Sequence, residues 1–541
     1  MSPRTRRASF SLVLFFTACG LGGLVVSQKL GAQSPEADSQ FHDSLKNFAA
    51  VYQAVAENYA EPLDSEKADK AIYDGAIPGM LRTLDPHSNF YDPKAYAKMR
   101  EDQHGKYYGV GMMIQPQSAG GVQRIVVVTP FEGTPSYKAG IRPGDTIVAV
   151  DGKSADNATS EEVANMLKGP KGTHVKLTIA REGTPAPLSF DLIRDEIPHN
   201  SVDLHYEIKP GIGYIHLTQF QETTGREISD ALDSFGDIKG LVLDLRGNPG
   251  GLLTEAVAVC DKFLNKGQVI VSQRGRAYPE QVQRATHGNN GHTYPIVILT
   301  NHGTASAAEI VSGALQDHDR ALIVGETTFG KGLVQTVYQL ADNTGLALTT
   351  YHYYTPSGRL IQRDYNGVSL YDYYYNHDKP QDTKDREVKL TDSGRTEYGG
   401  GGITPDIPFE SPKSTHIQDV LLAHYAFFDF SKHYLATHTV PKDFEVNDAV
   451  LSDFKQFLTS KQIAYTDADL NAVSDWLKTS IKAELFTSQF GQQEGMKVRA
   501  NYDPMIAKAL TVLPQAAALE QTAERVDAQK QAAKSNIPST M

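Results

Sequence analysis

The sequence predicts a multidomain α/β protein: a β-rich domain and an α/β core of βαβ units, flanked by helical N- and C-terminal regions. Three observations carry this prediction. The first is length, since 541 residues exceed what a single hydrophobic core encloses. The second lies between 295 and 325. There the apolar run Ile296, Val297, Ile298 and Leu299 is followed by a turn, an amphipathic stretch and a second run, Leu322, Ile323 and Val324. Uncharged β-branched runs fit strands buried on both faces, and strand, helix, strand with short links makes a βαβ unit with parallel neighbours. The third is a change of texture. Short alternating stretches and glycine turns fill 107–181, whereas apolar residues at helical spacing fill both ends of the chain.

Residues 1–33 read as a signal peptide or membrane anchor. Arg4, Arg6 and Arg7 precede an uncharged stretch from Ala8 to Gln28, so the positive end is expected to stay in the cytoplasm. Leu30-Gly31-Ala32 offers a cleavage site, but the stretch is also nearly long enough to span a bilayer, and both outcomes stay open. The rest of the chain is expected to be exported, either periplasmic or anchored to the inner membrane and facing outward. Of the two cysteines, Cys19 lies in this segment and Cys260 does not, so its removal would leave no intramolecular disulfide. The 52 basic and 64 acidic residues give a net charge of −12 without a basic block, which argues against a nucleic-acid partner. The 17 histidines are scattered and H-E-x-x-H is absent, so neither a metal nor another cofactor is expected.

Residues 37–104 have apolar positions at helical spacing and are expected to form packing helices, with Leu84-Asp85-Pro86 as a turn and no chemistry of their own. Residues 105–186 form the β-rich unit. Tyr108-Gly109-Val110-Gly111 leads into an alternating stretch, then IVVVTPF, the turn Ala139 to Asp145, the strand TIVAV, a helix over 161–167 and a last strand, HVKLTIA. This order resembles a PDZ domain. The resemblance implies that Tyr108, Gly109, Val110 and Gly111 offer backbone N–H groups to the C-terminal carboxylate of a peptide that adds as a strand. A connector at 195–202 leads to the core, 200–412. Here Leu241 to Leu245 form another buried strand, Arg246-Gly247-Asn248-Pro249-Gly250-Gly251 a turn, and LLTEAVAVCDKFL a helix. The turn lacks the G-x-G-x-x-G spacing of a dinucleotide site. Residues 413–541 are expected to be a helical C-terminal extension.

Ser306 opens the helix after the 296–299 strand, beyond a strand's carboxyl end, where ligands bind in such sheets. It also begins Ser-x-x-Glu with Glu309, so a simple helix cap stays open. Lys331 follows 25 residues later, in the turn after the adjacent parallel strand, so the two can converge at one sheet end. Gln335 lies four residues beyond Lys331, and period two in a strand would point both the same way. A lysine acts as a base only if desolvation lowers its pKa from about 10.4. Ser306, Lys331 and Gln335 would then be nucleophile, general base and orienting group, with the N–H groups of Gly250 and Ala307 as an oxyanion site.

The motifs GTASAAEIVSGALQD, GETTFGKGLVQ, DLRGNPGG, YYTPSGRLIQ and GITPDI, placed after the PDZ-like unit, resemble the carboxyl-terminal processing (tail-specific) serine peptidases. The resemblance implies a serine endopeptidase with a Ser/Lys dyad, in which Ser306, Lys331 and Gln335 hold the catalytic positions and protein substrates are recognised by accessible C-termini. The Tyr-rich insertion over 363–398 and the long C-terminal extension depart from the pattern, and a homo-oligomer stays open. A catalytically silent PDZ-bearing adaptor is the first alternative. A nucleotide site at GETTFGKG is the second, but Gly332 stands where a hydroxyl must hold magnesium, and LVQTVYQL alternates like a strand where a helix is needed. His302, four residues before Ser306 in the same turn, is poorly placed as a base.

Overall fold

The computed structural model describes residues 35–119, 122–375 and 386–535. The expected export segment, 1–33, lies outside the described residues. The chain divides into two compact units, Met1–Thr83 and Leu84–Met541. The first contains the helices Pro35–Asn58, Ser65–Lys70 and Ile77–Arg82, with a π-helical turn at Ala71–Ala76. The helical spacing expected of this region is realised in these elements. The expected helical region ending at 104 is divided. Its last part, with strand Asn89–Tyr91 and helix Pro93–His104, belongs to the second unit.

Within the second unit the β-rich domain is an antiparallel sheet in the order Met112–Ala119, Val122–Pro130, Thr146–Val150, His174–Ala180, Leu188–Ile193. Ile125, Val127, Ile147, Leu177 and Ile179 are fully buried in it, as the alternation in these strands requires. Strand Leu188–Ile193 pairs with His174–Ala180, so the domain runs past the expected limit of 186. Asp195–Pro198 is not simply a connector either. It pairs antiparallel with Lys106–Gly109, and this two-stranded ribbon forms the neck between the β-rich domain and the core.

The core is a six-stranded sheet in the order Val202–Lys209, Ile212–Leu217, Gly240–Asp244, Ile296–Thr300, Ala321–Gly325, Ile407–Pro408. After the first antiparallel pair every neighbour is parallel. The helices Thr224–Phe235, Leu253–Cys260 and Ala307–Asp317 bury one face, where Ile215, Leu243, Ile298 and Ile323 meet Ile228, Val259 and Val311. A second sheet joins Asn89–Tyr91, Gly345–Tyr354, Val269–Arg274 and Gln281–Arg284, with Leu333–Gln339 paired to Gly345–Tyr354.

The C-terminal region is not one extension. Residues between Ile417 and Leu485 build a separate helical core around Phe427, Phe430, Phe454 and Leu477. The final helix, Pro504–Ser535, instead covers the other face of the core sheet, packing Met505, Ile506, Val512 and Leu513 against Val242, Val297, Leu299 and Val324. Arg246 pins its start, with Nη1 donating to Asp503 Oδ2 at 2.9 Å, while Asp503 Oδ1 accepts the N–H groups of Met505 and Ile506 at 2.8 and 3.0 Å. Burying those four large side chains stabilises the fold by about 1.5–3 kcal/mol each, on the scale of a whole domain's net stability. A chain ending at Asn501 is therefore expected to aggregate, whereas one ending after Arg525 stays soluble. Size-exclusion chromatography of the two truncations checks this.

Candidate active site

Two strand-to-helix turns meet at the carboxyl end of the core sheet. The first follows Gly240–Asp244 and the second follows Ile296–Thr300, and side chains lock them together. Asn248 Nδ2 donates to the Leu217 carbonyl at 2.8 Å, and the Asn248 carbonyl accepts the Ala305 N–H at 2.9 Å. Thr304 Oγ1 donates to the Leu245 carbonyl, and Asn301 Oδ1 accepts the Gly247 N–H, both at 2.8 Å. Asp244 is buried and held by Arg246, whose Nε and Nη2 reach its carboxylate at 2.9 and 2.6 Å, and by the Tyr214 hydroxyl at 2.8 Å. Such a bidentate, hydrogen-bonded pair satisfies a buried carboxylate.

Ser306 stands at the N-cap of Ala307–Asp317 with φ 54°, in the left-handed region, which costs energy for a non-glycine residue and marks functional turns. Its surroundings hold it there. The Ser306 N–H donates to Glu309 Oε2 at 2.8 Å, and its carbonyl accepts the Glu309 N–H at 2.8 Å, the Ile310 N–H at 3.0 Å and the buried Tyr353 hydroxyl at 3.1 Å. Of the capping relation expected from Ser-x-x-Glu, the bond from the Ser306 N–H to the Glu309 carboxylate is present, while the Glu309 N–H goes to the Ser306 carbonyl and not to its hydroxyl, and Glu309 does more than cap. It has no exposed surface. Oε1 accepts the Thr328 hydroxyl at 2.5 Å and the Gly330 N–H at 2.7 Å, while Oε2 accepts the Lys331 N–H at 2.9 Å as well as that of Ser306. One oxygen thus binds the main chain of both Ser306 and Lys331. Burial raises the Glu309 pKa against the opposing effect of these four bonds.

Lys331 lies in the turn before Leu333–Gln339, and desolvation lowers its pKa below the ordinary lysine value against the pull of Glu309 and Asp85. Among the described residues its ammonium has no hydrogen-bond or ion-pair partner. The Ser306 hydroxyl and the Lys331 amine are not in direct hydrogen-bond contact, a separation often closed only when substrate binds. Gln335 is on the strand, but Lys331 precedes its first residue, so alternation within the strand does not reach the lysine. The Gln335 Nε2 donates to Thr349 Oγ1 at 3.4 Å.

Gly250 is brought against the serine. A Cβ at Gly250, whose φ is 99°, would fall 2.7 Å from Ser306 Cβ and 2.9 Å from the Ala307 nitrogen. Its own N–H donates to Asn248 Oδ1 at 2.9 Å. In the β-rich domain, Val110 is buried and its carbonyl accepts the Ser136 N–H and hydroxyl at 2.9 and 2.7 Å. The Gly111 carbonyl accepts the Thr134 hydroxyl at 2.9 Å, and Gly111 has φ 75° with no room for a side chain beside Thr134. Gly109 is buried in the neck ribbon and Tyr108 is exposed. Among the described residues the N–H groups of Val110 and Gly111 have no acceptor. The loop's carbonyls are thus tied down and its donors are left over.

Sequence reasoning missed several partners. Glu309 is legible as a cap but not as a shared anchor, because the N–H groups it binds come from a later turn. Thr328 and Tyr353 lie inside the motifs GETTFGKGLVQ and YYTPSGRLIQ, but nothing in the sequence points to a role for either. Asp85, His87 and Ser88, assigned no chemistry, reach this end of the core. The only signal for them is a polar D-P-H-S cluster between two helical stretches. His302 faces Glu326, with Nε2 3.7 Å from Oε2. The residues after GETTFGKG form strand Leu333–Gln339, not the helix a phosphate loop requires.

A model of peptidase family S41 matches residues 211–369, and a PDZ-domain model matches 126–181. A third, described as the C-terminal helical domain of a probable PDZ-protease, matches 417–468. The carboxy-terminal-processing protease of Bartonella bacilliformis is 40% identical over 361 residues, covering 65% of this chain and 80% of its own. The carboxy-terminal processing protease CtpA of Bacillus subtilis is 36% identical over 341 residues, 62% of this chain and 70% of its own. Among solved structures, the photosystem II D1 C-terminal processing protease is 28% identical, covering 67% of this chain and 92% of that one, with a TM-score of 0.33. The chain belongs to the carboxy-terminal-processing proteases, serine peptidases of family S41 that carry a PDZ domain.

The contact between Gly250 and Ser306 yields a prediction. Gly250→Ala puts a methyl group into the serine's Cβ, and displacing a reacting group by about 1 Å costs on the order of 10²-fold in rate. We expect kcat to fall by that order while circular dichroism and thermal midpoint show a folded protein.

Proposed function

We propose that the protein is an exported endopeptidase that cleaves C-terminal regions of protein substrates through an acyl-enzyme formed on Ser306, with Lys331 as general base. The observation that carries this reading is the shared anchor: Glu309 Oε2 binds the Ser306 and Lys331 N–H groups, while burial lowers the lysine pKa. In the reaction, the neutral Lys331 amine takes the Ser306 proton as the serine oxygen attacks the scissile carbonyl. The tetrahedral oxyanion is met by the N–H of Ala307, at the first position of the helix, and by that of Gly250 once it is shared with or released by Asn248. Collapse breaks the C–N bond, and the lysine returns the proton to the leaving amine. Water then attacks the acyl carbon as the same lysine takes its proton, and the lysine passes that proton to the Ser306 oxygen as the ester C–O bond breaks. Gln335, whose Nε2 donates to Thr349 Oγ1, would orient the amine by accepting from it with Oε1 once the two approach. The substrate tail adds beside Met112–Ala119, an edge strand of its sheet, with its terminal carboxylate on the N–H groups of Val110 and Gly111.

Export and inner-membrane anchoring rest on the pattern in 1–33, and fractionation of cells making the full chain tests them. Recovery in the cytoplasm of a chain that keeps 1–33 would refute export. A silent adaptor would bind tailed substrates without cutting them, so cleavage of an unfolded substrate that is lost in Ser306→Ala excludes it.

The lysine's role is tested by Lys331→Arg. Guanidinium stays protonated, so a general base is lost although the charge is kept, and activity is expected to vanish as in Lys331→Ala. In the wild type only the neutral amine works, so the rate should rise with pH through a midpoint below that of an ordinary lysine. Near-normal turnover by Lys331→Arg would refute the dyad. The tail-binding role predicts that amidating a substrate's C-terminus weakens cleavage at limiting substrate, because charge-assisted bonds are lost. Equal rates for amide and acid would remove that role.

A further inference from the structure

The turn after Leu84 belongs to the catalytic end of the core. Asp85 is only 7% exposed, and both its oxygens are used inside the turn. Oδ1 accepts the N–H groups of His87 and Ser88, and Oδ2 accepts the Ser88 hydroxyl, all at 2.7 Å. The Ser88 oxygen in turn accepts the Thr349 N–H at 3.1 Å, and Thr349 Oγ1 accepts from Gln335 Nε2.

This contact fills a gap in the second sheet. Strand Gly345–Tyr354 pairs with Asn89–Tyr91 as far as Ala347 and with Val269–Arg274 from His352 onward, so Thr349 falls between the two. At the same place its ladder with Leu333–Gln339 slips: Val334 faces Tyr351, but Gln335 faces Thr349. A bulge re-aims side chains and leaves the local register to be held by other contacts. Ser88 supplies that hold on the residue that Gln335 touches.

The neighbouring His87 is wedged between aromatic rings. Its Nε2 is 3.0 Å from the Tyr373 hydroxyl, and its ring lies edge-on to Phe329, Tyr373 and Tyr374. Phe329 is two residues before Lys331, and Arg363 stacks over Phe329 and Tyr373. Burial, and then the charge of Lys331, bring the His87 pKa down to about 4, so the imidazole is neutral at working pH. The charges that act on Lys331 are the carboxylates of Glu309 and Asp85, while Lys331 and Arg363 both act on the neutral His87.

We propose that Asp85 and Ser88 are positioning residues of the protease reaction: Ser88 fixes Gln335 through Thr349, and Asp85 fixes Ser88 and sets a negative charge near Lys331. The proposal rests on the Ser306/Lys331 reading. Asp85→Asn retains an oxygen for the turn's N–H groups but loses the charge. One of the two carboxylates that favour the ammonium then goes, so the neutral amine appears at lower pH.

The test measures cleavage of fluorescently labelled casein by the full chain across pH, for the wild type, Asp85→Asn, Ser88→Ala, Ser88→Thr, Lys331→Ala and Ser306→Ala. In Asp85→Asn the midpoint of the rising limb is expected to move to lower pH, with kcat reduced by up to about 10²-fold. Ser88→Ala should lower kcat with KM and midpoint unchanged, and Ser88→Thr should restore much of it. A dead Lys331→Ala beside a folded Asp85→Asn with wild-type kcat and midpoint overturns this proposal alone. Activity surviving in Lys331→Ala overturns the dyad on which it rests. If Asp85→Asn does not fold, the serine pair decides: equal kcat in Ser88→Ala and the wild type overturns the proposal.

Discussion

A single buried carboxylate organises this molecule's chemistry. Glu309 has four donors from three places in the chain: the serine turn, Thr328 and the turn of Gly330 and Lys331. An ionised carboxylate away from water is costly unless its lone pairs are filled. Filling them forces these segments to one point. Ser306 keeps its strained backbone and Lys331 its desolvated place because each gives its N–H to the same oxygen. Thr328 extends the hold, since its oxygen accepts the Ile403 N–H at 2.7 Å, bringing in the GITPDI segment.

Around that point the two sheets divide the work. The parallel sheet brings the glycine-rich and serine turns side by side, and the Asn248 carbonyl and the Thr304 hydroxyl cross-link them, so the packing of Gly250 on Ser306 follows from strand order. The second sheet carries Gln335, and the Tyr-rich insertion contributes helix Leu370–Tyr375, whose Tyr373 is buried beside Gln362 and His87. The β-rich domain hangs from the core by its ribbon. The strand that ends that ribbon, Lys106–Gly109, runs directly into the loop proposed to take the carboxylate.

The legible part of the fold was whatever is written in local periodicity. The strands at 241–245, 296–299 and 322–324 and the helix after Ser306 announce themselves by apolar runs, because a strand buried on both faces must be apolar throughout. The PDZ-like order was readable because its glycines sit at turns with positive φ, as at Gly111, Gly140 and Gly144. What stayed hidden was set by distance along the chain. Nothing near Pro504 says that its helix covers Val297. Nothing near Ser88 says that it meets Thr349, 261 residues away. The strand at 188–193 was missed because its burial alternates weakly at a sheet edge. Glu309 was readable as a cap, its commonest role, and not as the anchor of a lysine from another turn.

The final helix has a consequence for how the protein comes into being. A sheet with one face bare is not a finished structure, and the helix that covers it starts at Pro504, far beyond Ser306 and Lys331 in the chain. Pairing so distant in sequence is slow and pays its loop entropy before any return. The glycine-rich turn is tied to the same helix through Arg246 and Asp503. An emerging chain therefore carries Ser306 and Lys331 long before it can lock the sheet that aligns them. Synthesis order itself thus places the closing of this sheet after the emergence of the residues that its turns carry.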